Sequence, residues 1–313
     1  MAKHTAKITL ILLAMFIATQ LIGLTVINFY LKDNIKIPYG FDEENLPVEK
    51  DFSFYLKFLV SFVVSLGIAI VLVLLLMKIQ SVWFIRGWFF VVISLALGIT
   101  LTAITTKLNL IYPSLFALVL GIFLAFIKVF RRNIIVHNIT ELLIYPGIAV
   151  IFVAMFNLTT IMILLFLISA YDIWAVWHTG IMQKMAKFQI NTLGIFSGFF
   201  LPYASKETKE KIKLLKLKYK DKEIPESIVK RKKLKISLAI LGGGDVIFPI
   251  IAAGVFLKTF HSLYASLTIV LFATLALLSL FIFGKKKKFY PAMPYLTVGI
   301  FLGMLIGWFA FVL

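Results

Sequence analysis

Two aspartates stand where charged groups are rare. Asp172 follows Tyr171 inside one apolar run, and Asp245 closes Gly242-Gly243-Gly244-Asp245 inside another. A charge at bilayer depth costs roughly 2.5–3.5 kcal/mol on insertion scales, so a carboxylate there is expected to be functional. Two carboxylates a few ångström apart cannot both ionise, and they share a proton over some pH range. The ionised member takes a proton from water, which attacks a carbonyl. The protonated member hydrogen-bonds that carbonyl and helps protonate the leaving amine. The chemistry expected of such a pair is amide hydrolysis, and its members are interchangeable at the level of sequence.

The other carboxylates are accounted for elsewhere. Of 14 Asp and Glu, six fall in residues 33–51 and five between Glu207 and Glu226; Glu141, Asp172 and Asp245 are left in apolar segments. Glu141 and His137 are four apart and can share a helix face. No third ligand or His-Glu-x-x-His pattern accompanies them, so a contact between helices is expected rather than zinc. No metal or cofactor is expected anywhere in the chain. Cys is absent, which excludes disulfides and a cysteine nucleophile. Ser197, in Gly194-Ile195-Phe196-Ser197-Gly198, lacks a persuasive histidine partner.

The elements that position these residues are membrane helices. Hydrophobic residues make up 61% of the 313, charged ones 15%, and mean hydropathy is +1.02. A soluble chain of this length has no means of hiding so much apolar surface. The expected fold is all-α and polytopic, with nine spans at 8–30, 54–77, 82–105, 111–130, 134–156, 159–178, 234–257, 263–284 and 291–313. The first is too long in its apolar core for a signal peptide and no small-residue cleavage site follows, so it is read as retained.

The net charge of +18 is not the mark of a nucleic-acid partner. With the N-terminus cytoplasmic, 26 of the 32 Lys and Arg fall in inner connections or near inner helix ends. Nine spans then place the C-terminus outside. The organisation is a membrane region over 1–183 carrying Asp172, a basic cytoplasmic loop over 184–233, and a second membrane region over 234–313 carrying Asp245. Within the loop, 205–223 alternates Lys with Glu and reads as a solvated or interfacial helix drawn to anionic lipid. Residues 193–202 are apolar yet too short to span, and read as re-entrant or surface-lying. The sixth and seventh spans run antiparallel from a cytoplasmic connection, which brings both aspartates to similar depth. Pro249 removes the amide that would bond back to the Asp245 carbonyl, and three glycines loosen the segment before it.

Three signatures in order carry a resemblance: Tyr171-Asp172, Gly242-Gly243-Gly244-Asp245 and Pro291-Ala292-Met293. They resemble those of the presenilin and signal peptide peptidase family on its sixth, seventh and ninth helices. The resemblance implies an intramembrane aspartyl endopeptidase that cuts transmembrane segments, with Asp172 and Asp245 as the catalytic pair. It implies that Pro291, Ala292 and Met293 shape the site beside them, and that Tyr171 and the three glycines line the substrate cleft. Met293 replaces the family's Leu, a change that conserves volume. Gly243 replaces its commoner Leu or Phe. The implied partners are transmembrane substrate proteins and the lipid bilayer, and the implied location is the cell membrane of a microbe. Oligomeric state is left open. Two other readings use the same aspartates: a proton-coupled transporter or cation leak, for which inverted repeats are lacking, and a prepilin-type peptidase, which has fewer helices.

Overall fold

The computed structural model describes residues 6–32, 35–41, 52–79, 81–131, 133–179, 185, 188–194, 196–204, 236–284 and 290–313. The charge-alternating segment at 205–223, most of the acidic stretch and the lysine run at 285–288 lie outside the described residues.

Among the described residues there are nine helices long and apolar enough to cross a membrane. They are α1 (Ala6–Lys32), α2 (Phe52–Ile79), α3 (Val82–Lys107), α4 (Pro113–Phe130), α5 (Ile134–Met155), α6 (Leu158–Trp174), α7 (Gly243–Phe260), α8 (Leu263–Phe283) and α9 (Met293–Phe311). A wider turn at Ala175–Thr179 extends α6. Helix starts follow ordinary capping chemistry. Asn133, Asn157 and Ser262 accept backbone amides at the heads of α5, α6 and α8.

Eight helices fall within two or three residues of the expected spans, counting the wider turn with α6. The seventh does not. Ile236–Gly242 is a strand, β2, paired antiparallel with β1 (Gly198–Ala204), in register from Gly198 opposite Gly242 to Ala204 opposite Ile236. A short apolar run fits a strand as well as a helix, and the glycines at its end are poor helix formers. The partner strand supplies the aromatic residues Phe199, Phe200 and Tyr203, which suit a sheet. The apolar stretch at 193–202 is therefore half of a hairpin, and α7 begins only at Gly243.

The core is built around α1, α5 and α7. Gly23 of α1 takes Ile250 of α7 against its backbone, and Gly254 of α7 takes Ile27 and Val153. Gly147 of α5 lies directly against the Ala96 carbonyl of α3. Small residues of this kind let membrane helices approach closely where no hydrophobic drive separates helix from lipid. On α9, Gly299, Gly303 and Gly307 form one stripe against Phe272, Ile269 and Ala265 of α8. By contrast α2 is held chiefly at its first turns. There Phe58 and Phe62 meet Phe152 and Phe156 with ring centroids 5.5–5.6 Å apart. Most of its later residues are exposed apolar groups, as a lipid-facing helix requires.

One buried ion pair supplies the contact between helices expected of Glu141. Lys128, near the end of α4, is buried and paired with Glu141, with Thr140 as a second acceptor at 3.3 Å. Glu141 thus joins α5 to α4. Arg86 donates twice to the Leu193 carbonyl, at 3.1 and 2.7 Å. Removing one member of a buried pair leaves an unbalanced charge, and Lys128→Met is expected to destabilise the protein by about 3–5 kcal/mol. The double variant Lys128→Met/Glu141→Leu is expected to recover most of that loss. Thermal unfolding of the two purified variants in one detergent checks this.

Candidate active site

Asp172 lies two residues before the end of α6 and is 4% exposed. Its Oδ2 accepts the Met293 amide at 3.0 Å, and the Ala292 amide is a second donor. The reason is local. The first amides of a helix have no partner within it, and Met293 is the first residue of α9. Pro291 and Ala292 bring the chain into that helix. The Pro-Ala-Met segment thus meets Asp172 through its backbone, so exchanging Leu for Met at the third position leaves the contact intact. Beside it, Ser169 and Thr297 hydroxyls are 2.7 Å apart, a second bond between α6 and α9.

Asp245 sits in the first turn of α7, with Gly242 as the residue before the helix. Its Oδ2 folds back over Gly242, 3.1 Å from where a β-carbon there would stand. Helix α7 packs against both α6 and α9, so the elements bearing the two aspartates and the Pro-Ala-Met segment are mutual neighbours. Both carboxylates accordingly stand beside helix N-termini.

The loop carrying Asp245 is held from below by the hairpin and by α5. The Gly243 amide donates to the Ser197 carbonyl at 3.2 Å. His137 Nε2 is 2.8 Å from the Gly198 carbonyl. Asn138 takes both backbone groups of Phe200, donating at 3.0 Å and accepting at 3.3 Å, as a neighbouring strand would. Pro202 shares the parity of Gly198 and Phe200, and so needs no amide toward β2. Gln20 of α1, fully buried, donates to the Val246 carbonyl at 2.9 Å. That bond braces the turn in which Pro249 supplies no helix amide to the Asp245 carbonyl.

The sequence-predicted residues divide clearly. Asp172 is bonded to the backbone of Ala292 and Met293, which Pro291 precedes in the chain, and Gly242, Gly243, Gly244 and Asp245 form one turn. Gly243 is buried: a β-carbon there would meet Tyr145 Oη at 2.8 Å and Ser197 Oγ at 2.9 Å. The space that a larger residue would need is filled by those two hydroxyls. Gly244 is exposed with nothing closer than 3.9 Å. Tyr171 is half-buried, its ring 6.3 Å from that of Trp174. His178 is exposed at the end of the wider turn. Gln20, Asn138, Tyr145 and Ser197 were missed as supports. A polar residue within an apolar span was the available signal for the first three. Among the described residues no group of three His, Cys, Asp or Glu side chains is placed to hold a metal.

The family model for signal-peptide peptidase and presenilin aspartyl proteases matches residues 34–313. The chain belongs to this family. It is therefore an intramembrane aspartic protease and an integral membrane protein. Two solved structures of a presenilin family intramembrane aspartate protease share its fold. One, in a C222 crystal form, has TM-score 0.57 and 17% identity, covering 96% of this chain and 98% of the other. The second, in a P2 form, has TM-score 0.55 and 18% identity, covering 95% of each. No curated protein sequence matches significantly. The transporter and prepilin-type alternatives gain no support from these similarities.

Gly198 is the tightest point of the protease's hairpin. Its φ of +142° is one that L residues rarely adopt, and a β-carbon would collide with the Leu241 carbonyl and the Phe196 ring. Gly198→Ala is expected to lower the catalytic rate at least about tenfold through displacement of the Asp245 loop. Cleavage rate measured beside the helical circular dichroism signal, which should stay near wild type, checks this.

Proposed function

We propose that the protein is an endopeptidase that hydrolyses peptide bonds within transmembrane segments of substrate proteins, with Asp172 and Asp245 as its catalytic pair. One observation carries the reading. Asp172 is bonded to the Pro-Ala-Met backbone at the head of α9, and both α6 and α9 pack on α7, whose first turn bears Asp245. In the resting pair one proton is shared. The ionised carboxylate takes a proton from water as its oxygen bonds to the scissile carbonyl carbon. The protonated carboxylate hydrogen-bonds the carbonyl oxygen. The tetrahedral adduct then loses its C–N bond, and a proton passes to the departing nitrogen. The products are a carboxylic acid and an amine, one water is consumed, and the pair again holds one proton.

The substrate must be unwound before its carbonyl is accessible, and the hairpin offers a place for an extended chain. By alternation along an antiparallel pair, residues 238, 240 and 242 of β2 turn their backbone groups away from β1. Leu238 and Ile240 are exposed, and no described strand lies on that edge. A segment added there by main-chain pairing runs toward Gly242 and Asp245, and the open space at Gly244 admits it closely. Tyr171 and Gly243 border the same cleft.

The enzyme is placed in the cell membrane of a microbe, with its N-terminus and the long basic loop cytoplasmic and its C-terminus outside. Withdrawing Lys128 from the inner charges leaves the bias intact. The two membrane regions, 1–183 and 234–313, then contribute one aspartate each, on either side of the 184–233 loop.

The test is cleavage of a transmembrane-segment reporter by purified protein in liposomes, with product masses recorded. Wild type is expected to cut within the apolar segment. Asp172→Ala and Asp245→Ala are each expected to lower the rate by about 10²–10⁴ or more while remaining folded. Cleavage that survives both substitutions would overturn the assignment.

A further inference from the structure

One face of α5 carries His137, Glu141 and Tyr145 at intervals of four residues. The first two are satisfied, His137 against the Gly198 carbonyl and Glu141 against Lys128. The third is not. Tyr145 is 2% exposed, and its hydroxyl has no hydrogen-bond partner. Among the described residues the only other buried side-chain atom in that state is Gln20 Oε1. Gln20 is bonded through its other terminal atom to Val246. The two orphan atoms, one able to donate and one able only to accept, therefore flank the same turn, the one that holds Asp245.

Buried polar groups are paired in nearly all folded proteins, and an exception marks strain, a bound water or ion, or a group held for catalysis. The surroundings of Tyr145 say which. Its Oη stands 2.8 Å from the empty β-position of Gly243, while Asp245 Oδ2 stands 3.1 Å from that of Gly242. Hydroxyl and carboxylate thus approach neighbouring steps of one glycine pair. Any side chain at Gly243 would fill the gap. Glu141 and Ser197 lie within loose reach of the hydroxyl and the Asp245 charge is felt there, but no group stands at the distance and angle of a formed hydrogen bond. Glu141 is already engaged by Lys128.

We propose that Tyr145 is a positioning residue of the active site, whose hydroxyl donates a hydrogen bond to the Asp245 carboxylate as the chemical step proceeds. This rests on Asp245 being catalytic, as proposed above. The bond fixes the carboxylate against the floor of the cleft and leaves its second oxygen for water. It forms at the chemical step, so it bears on turnover and not on substrate capture.

The experiment compares wild type, Tyr145→Phe and Asp245→Ala in liposomes on one transmembrane reporter. It measures kcat, KM and the thermal midpoint, together with the affinity of a hydroxyl-bearing transition-state analogue of peptide hydrolysis. Phe keeps the ring and deletes an unpaired group, so a purely structural role predicts unchanged kcat and an unchanged or higher midpoint. The expected result is kcat lower by about tenfold, KM within about twofold, analogue affinity weakened by about tenfold, and a midpoint no lower than wild type. A wild-type kcat in Tyr145→Phe, with Asp245→Ala silent, overturns this inference alone. So does a loss of activity that tracks a lowered midpoint, or one confined to KM. Cleavage surviving in Asp245→Ala overturns the catalytic pair and this inference with it.

Discussion

Backbone groups opened inside an apolar solvent must be closed by the chain itself, and the site is built where the chain closes them. The head of α9 is closed by the Asp172 carboxylate. The exposed edge of β1 is closed by His137 and Asn138 of α5. The proline-interrupted start of α7 is braced by Gln20 of α1. Each of these would be solvated by water in a soluble protein. Here each is a side chain fixed from a neighbouring helix, which is why so many polar residues inside the spans converge on one end of α5, α6, α7 and α9.

That convergence explains what the sequence made legible. The spans were readable because an apolar run near twenty residues is a strong signal, and the two aspartates because a carboxylate inside such a run is rare. The Pro-Ala-Met segment was readable only as a motif. Its action is through two backbone amides, and amides leave no trace in side-chain pattern. The hairpin was not readable from periodicity, since Ile236–Gly242 continues without interruption into the apolar face of α7. Its partner strand lies across a long loop, and pairing between distant segments is a tertiary fact. The burial of Lys128 was hidden for a similar reason: at the end of a span it looks like a solvated charge, and only Glu141 on another helix shows that it is paired inside the protein.

The motif glycines serve different ends. Gly198 is required by backbone conformation, Gly243 by the two hydroxyls beneath it, and Gly244 leaves an open approach. The departure of Gly243 from the larger residue usual in the family is thus matched by its surroundings. Tyr145 and Ser197 occupy the volume that residue would take.

The glycine stripe of α9 has a mechanical consequence. Gly299, Gly303 and Gly307 lock α9 backbone-to-backbone onto α8, so the two helices tilt as one stiff arm. The arm's tip is the Met293 amide. Gly307 lies fourteen residues from it, about 20 Å at 1.5 Å per residue. The seat of the Asp172 carboxylate is therefore fixed by helix packing that continues well away from it, and not by the head of α9 alone.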